Sequence, residues 1–245
     1  MKLISRVIQG KRETEINKHL MDSRAEKRLK LKLTKAKIIM GSPKRHSNHV
    51  VGIDLAGSPK RDTGICTLSK GHITFCTILH TDQEIISYVG NENPAVVAID
   101  APLNLPPGRK SIEDRRGEHF RPCDRELLRR GIRFFPITLG PMRSLTKRGI
   151  RLKRALIARG YLVIEVYPGA AQDIWQTGRK QDGLSKLRRG LEKLGVKGLH
   201  QKMSGDELDA VTAALVGQLF LSGKAEVLGD FKRGAIVIPY AKKAT

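Results

Sequence analysis

Asp54 lies inside the apolar run Val-Val-Gly-Ile-Asp-Leu-Ala, and Asp100 ends the run Ala-Val-Val-Ala-Ile-Asp just ahead of Ala-Pro. Desolvating an isolated carboxylate costs at least several kcal/mol, so in such settings it has to be paired, protonated or metal-bound. Each also has a structural account: Asp54 can brace a turn, and Asp100 can cap the chain as it leaves a sheet. Asp206 and Asp209 stand three residues apart and share one face of a helix. Beyond them Ala-Val-Thr-Ala-Ala-Leu-Val-Gly-Gln-Leu-Phe-Leu is apolar nearly all round, which predicts a buried helix. Asp206 heads a line of small residues, Ala210, Ala213 and Gly217, so this end can approach a sheet closely. Asp209 sits above Ala213, Val216 and Phe220, so its carboxylate is expected to point inward. The helix dipole alone favours acids here by about 0.3–1 kcal/mol each, which accounts for Asp206 better than for Asp209.

Together these carboxylates offer hard oxygen ligands without His or Cys, a set that suits Mg2+ or Mn2+ rather than zinc. Two such ions about 3.5–4 Å apart can activate water and stabilise the leaving oxygen in phosphodiester hydrolysis. The rival arrangement is structural, with Lys or Arg holding the acids in place of metal.

The elements that must position these residues follow from pattern. Val50 to Ala56, Gly64 to Leu68 and Ile73 to Leu79 read as three strands of a meander, with Ser69-Lys70-Gly71 as a turn. Thr81 with Glu84 is a capping-box signature for a short helix that Gly90 can stop. Ala95 to Ile99 is a continuous apolar run suited to a central strand. Residues 103–144 are rich in Pro, Gly and Arg and read as a long insertion with local helix around Asp124 to Arg130; loops of that length are usually functional or mobile. Leu145 to Arg159 reads as a helix, Leu162 to Val166 as a strand, Leu184 to Leu194 as a basic helix, and Ala235 to Ile238 as a last strand. Ser204 with Glu207 opens a helix running to about Ser222. Three hairpin-linked strands, a helix, then parallel strands is the order of an RNase H-like α/β core, a mixed sheet of the five-stranded type flanked by helices.

Composition bounds the rest. At 40% apolar and 29% charged, the chain can form one domain of about 150–200 residues plus an appendage. The expected division is a basic N-terminal extension over 1–48 and an RNase H-like domain over 49–245. The extension carries fourteen Lys or Arg against four acids and reads equally as a phosphate-binding arm, an inert leader, or sequence upstream of a start at Met40. With no apolar run of roughly 18 residues and no secretory leader pattern, a cytoplasmic protein away from membranes is expected. Cys66, Cys76 and Cys123 have no metal-ligand spacing and are expected as reduced thiols. A formal net charge of +22 points to an anionic partner, with nucleic acid foremost. Aromatics make up only 4%, so contacts are expected mainly from Lys and Arg to phosphate.

From about Val50 to Pro239 the chain resembles the predicted RNase H-fold nucleases grouped as domain of unknown function 429. The resemblance rests on Gly-Ile-Asp54-Leu-Ala, Ala-Ile-Asp100-Ala-Pro-Leu, Arg121-Pro-Cys-Asp124-Arg-Glu-Leu, Glu165-Val-Tyr-Pro and Asp206-Glu-Leu-Asp209-Ala. The last motif is also similar to that of Holliday-junction resolvases of the same superfold; where those carry a strand glutamate, this chain has Asp100. The resemblance implies a metal-dependent nuclease with Asp54, Asp100, Asp206 and Asp209 as the metal-binding set. Glu165 can add a ligand, shuttle a proton, or be a mere edge residue. Arg121 and Asp124 can pair across one turn or meet substrate. Arg179, Lys180, Lys186, Arg188 and Arg189 form a basic stretch that can track phosphates or simply face solvent. Two other functions compete. One is an actin-like phosphotransferase, because Ile-Asp-Leu-Ala-Gly-Ser followed by Thr63-Gly64 resembles a sugar-kinase phosphate loop. The other is a nucleic-acid-binding protein without catalysis.

Overall fold

The computed structural model describes residues 48–241. Nearly all of the 1–48 extension lies outside them. Strands β1 (His49–Asp54), β2 (Thr63–Ser69) and β3 (His72–Leu79) form the meander, and α1 (Asp82–Glu92) leads to β4 (Val96–Asp100). The insertion carries α2 (Pro122–Arg129) and the start of α3 (Gly140–Ile157). Then follow β5 (Val163–Val166), α4 (Pro168–Trp175), a 3-10 turn (Lys180–Asp182), α5 (Leu184–Lys193), α6 (Gly205–Leu221), β6 (Ala225–Asp230) and β7 (Gly234–Pro239).

These strands make one sheet in the order β3-β2-β1-β4-β5-β7-β6. β2 runs antiparallel to β1 and β3, β4 and β5 join β1 in parallel, and β6 closes antiparallel on β7. This is the RNase H-like order, meander first and parallel strands after. The sheet has seven strands where a five-stranded type was expected: β7 forms at the expected Ala235 to Ile238, and β6, which was not expected, pairs with it as a hairpin.

Burial on both faces explains the unbroken apolar runs. Val50, Val96, Ala98, Ile164 and Val166 pack under α6. Val51, Ile53, Val97, Ile99 and Val163 face Ile85 and Val89 of α1 and Leu152 and Leu156 of α3. A third cluster joins Cys123 and Leu127 of α2 to Leu228, Ile236 and Ile238 of the closing hairpin. Among the described residues no helix is long and apolar enough to cross a membrane, and the three cysteines are free thiols.

Both expected capping boxes form: Glu84 N–H donates to Thr81 Oγ1 at 3.2 Å and Glu207 N–H to Ser204 Oγ at 3.2 Å. Helix α1 passes Gly90 and stops at Asn93, whose φ of 49° is the left-handed conformation that Asn tolerates. Helix α3 begins five residues before the expected Leu145, because Pro141 in its first turn has a φ already suited to helix.

Candidate functional site

Helix α6 carries its acids to the sheet because two glycines let it lie directly on the strands. A Cβ at Gly52 would overlap the Ala210 carbonyl oxygen and the Ala214 amide, and one at Gly64 would overlap the Asp206 carbonyl. Gly64 is the register partner of Asp54, so the first turn of α6 sits beside that carboxylate. Asp54 is also in register with Asp100 on the parallel strand β4, and neighbouring strands lie about 4.8 Å apart.

Lys180 brings the acids to one point. Its Nζ lies 3.2 Å from Asp54 Oδ2, 2.8 Å from Asp206 Oδ1 and 3.0 Å from Asp209 Oδ2. Oxygens that share one ammonium this closely are separated by at most about 6 Å from one another. Asp209 is nearly buried, at 6% exposed, and also accepts 2.6 Å from Gln172 Nε2, which donates again to Thr212 Oγ1 at 3.3 Å. Asp206 is more open. The Asp100 side chain forms no hydrogen bond or ion pair among the described residues; it lines a cavity of about 160 Å³ with Phe134, Phe135 and Tyr167.

The electrostatics follow from this crowding. Burial, then the Asp209 charge, pushes Asp54 up to about 7 against the pull of Lys180. Burial, then Asp54, holds Asp100 well above the usual carboxylate range. For Lys180, burial favours the neutral amine, but Asp54 and Asp209 outweigh it and raise its affinity for the proton.

The donor chemistry of Asp54, Asp206 and Asp209 fits a hard divalent ion, while their spacing as it stands is set around an ammonium. Among the described residues no group of three or more His, Cys, Asp or Glu side chains is arranged to hold a metal ion. The cation among the acids is the one expected on phosphate.

Glu165 stands apart from this cluster. Its Oε2 accepts from Arg121 Nη1 at 2.7 Å and from the Leu103 amide at 2.7 Å, and its Oε1 accepts from Arg121 Nη2 at 2.8 Å. With both oxygens taken, it anchors the strand exit at Leu103 rather than offering a ligand or a proton shuttle. Arg121, expected as a phosphate contact, is 1% exposed and is also bound to Asp124 at 2.7 Å. The turn-spanning pair is therefore the arrangement found, and a nucleic-acid contact by Arg121 is corrected. A buried charge on this scale persists only with such partners.

The remaining cations divide. Arg179 is held by Asp173 at 2.6 Å, donates to the Tyr167 hydroxyl at 3.1 Å and stacks over that ring at 5.6 Å. It thereby anchors the turn that presents Lys180. Arg188 faces Glu192 at 3.8 Å. The side chains of Lys186 and Arg189 form no hydrogen bond or ion pair among the described residues, and both line one cleft.

Gln172 and helix α4 escape the pattern reading, although Tyr167-Pro168 carries the start signal, a proline at the first helical position. Arg148 is missed too: buried on α3, it donates from Nε to Asp82 at 2.7 Å and from Nη1 to the Ala56 carbonyl at 2.7 Å.

The sequence matches the family described as Protein of unknown function (DUF429) over residues 52–233. The chain belongs to this family. The DUF429 match spans the meander, the insertion and helix α6, and so includes all four aspartates. No curated protein matches. Among solved structures, a Thermus thermophilus RuvC structure is similar at 13% identity, covering 71% of this chain and 96% of that one, with a TM-score of 0.43. T. thermophilus RuvC in complex with Holliday junction substrate is similar at 12% identity, over 69% of this chain and 92% of that one, with a TM-score of 0.40.

Proposed function

We propose that this DUF429 protein is a metal-dependent nuclease that hydrolyses phosphodiester bonds of DNA or RNA. The observation that carries the reading is the meeting of Asp54, Asp206 and Asp209 on one cation position, beside Asp100 in register on the next strand. An RNase H-like core presents carboxylates at one strand exit and one helix start. A net charge of +22 supplies the complement to a polyanion.

In this reading Asp54, Asp100, Asp206 and Asp209 hold Mg2+ or Mn2+. Two such ions supply Lewis-acid stabilisation of the charge that builds on a phosphodiester during hydrolysis. Lys180 keeps the acids together in the metal-free protein, and a bound ion would have to take its place. Gln172 keeps Asp209 aimed at the same point throughout. Glu165 and Arg121 serve as the buried strut that fixes the chain after Asp100.

The test is cutting of a panel of branched, single-stranded and duplex DNA and RNA with Mg2+ or Mn2+. Asp54→Asn and Asp209→Asn are expected to abolish cutting, a loss of about a thousandfold or more, while binding persists. Binding across the panel with no metal-dependent cutting makes the protein a non-catalytic nucleic-acid binder. Phosphoryl transfer from tightly bound ATP makes it a phosphotransferase.

A further inference from the structure

We propose that the cleft between the end of α4 and the basic face of α5 binds an unpaired stretch of nucleic acid, with phosphates on Lys186, Arg189 and Lys193 and a base against Trp175. This deepens the nuclease reading, on which it rests for the choice of polymer. The cleft is about 350 Å³ and is lined by those four side chains with Thr177 and Leu194.

Helical spacing accounts for the cations. Positions 186, 189 and 193 fall on one face of α5, while Leu187 and Leu191 turn the other face into the core. Two glycines shape the wall. A Cβ at Gly190 would overlap the Thr177 side chain, so α5 lies tight against the chain leaving α4. Gly178, at a φ of 78°, lets the stem of Lys186 cross its backbone closely.

Charge accounting separates these three from their neighbours. Arg179 and Arg188 have carboxylate partners. The side chains of Lys186, Arg189 and Lys193 form no hydrogen bond or ion pair among the described residues, yet share one cleft. Three like charges held together are stabilised by an anion, and a chain of phosphates supplies charges at intervals.

Trp175 argues for a base as well. It is partly buried, packs on the core cluster under α6, and lines the cleft. An indole among cations stacks any nucleobase without regard to sequence, but only when that base is unpaired. The cleft also lies close along the chain to the carboxylate cluster, through Lys180. Trp175 and Lys180 are five residues apart, a span of at most about 18 Å, so a strand in the cleft reaches the acids within a few nucleotides.

The chain holds one tryptophan, so its emission reports on this cleft alone. Asp54→Asn protein is titrated with oligothymidylate and oligouridylate of about a dozen nucleotides and with a duplex of equal length, lengths in the range one small binding groove covers. Saturable quenching by either single strand, weaker with duplex, is expected. The variant Lys186→Glu/Arg189→Glu/Lys193→Glu is expected to raise the dissociation constant at least about tenfold and to flatten the log-log salt slope by roughly 2. Trp175→Leu, followed by anisotropy of a labelled strand, is expected to lose about tenfold; Arg189→Ala/Lys193→Ala serves if the triple variant does not fold.

Binding without quenching, equal quenching by duplex, or variants that bind like the parent would overturn the proposal. Metal-dependent cutting by the wild-type chain with those results leaves the nuclease reading standing and the cleft refuted. Quenching that obeys the variants, with no cutting of any substrate, supports the cleft and refutes the nuclease.

Discussion

The Lys180 ammonium, 2.8 to 3.2 Å from three carboxylates, neutralises them and, in the proposed metal-dependent reading, stands where a divalent ion would sit. Both roles have consequences for a variant that keeps the stem and removes the charge. Lys180→Met is expected to destabilise the metal-free protein, since Asp54, Asp206 and Asp209 then repel one another without compensation. It is also expected to bind Mn2+ at least about tenfold more tightly, because the ion no longer displaces an internal competitor. Calorimetric titration reads the affinity directly; unchanged or weaker binding would show that Lys180 does not compete. Residue types in sequence reveal the acids but not this cation. Asp54 stands out as a carboxylate inside an apolar run and Asp206 and Asp209 as a pair heading an apolar helix, whereas Lys180 is one of 46 Lys and Arg. Likewise Glu165 reads as a possible ligand until Arg121, 44 positions earlier, is seen to take both of its oxygens.

Helix α6 positions the site through what is missing from the strands beneath it. Small residues on the helix announce a close approach, and the structure adds the complementary pair, Gly52 and Gly64, on β1 and β2. Gly64→Ala places a methyl group against the Asp206 carbonyl, a contact relieved only by lifting the first turn of the helix. A loss of about 1–3 kcal/mol is expected in urea unfolding, together with a weaker thermal shift on adding Mn2+. Undiminished stability and metal response would mean that the helix does not need this contact. At this scale the sequence was legible wherever the signal is local: alternation, unbroken apolar runs and the two capping boxes each act within a few residues. Strand β6 was not legible, because an edge strand packs mainly one face and Ala-Glu-Val-Leu-Gly-Asp shows no clean alternation.

Across the whole molecule, the strong positive charge makes acid the condition that strains it most, since every protonated carboxylate adds to the self-repulsion. Asp82 is the carboxylate to watch. It joins α1 to α3 through Arg148 and Arg151, each at 2.7 Å. Burial pushes its carboxyl up, and the Arg148 and Arg151 hydrogen bonds outweigh that and hold it below the ordinary range. A carboxyl lowered in the folded state contributes stability that is present above its unfolded value and is lost as pH falls through its folded one. The melting temperature is therefore expected to drop between about pH 5 and pH 3. Asp82→Asn should cost roughly 3 kcal/mol at neutral pH by leaving Arg148 short of its counter-ion, and should flatten that drop. Equal steepness in both proteins would count against the pair. The sequence by itself determined the order of most elements, the burial of the sheet on both faces, and the placing of acids at a strand exit and a helix start, because periodicity and capping operate over neighbouring residues. Only the tertiary structure decided which cation meets those acids, which charges are spent on one another, and which remain for a partner. Lys180 reaches Asp54 from 126 positions away, and no local pattern encodes a pairing made across that distance by packing.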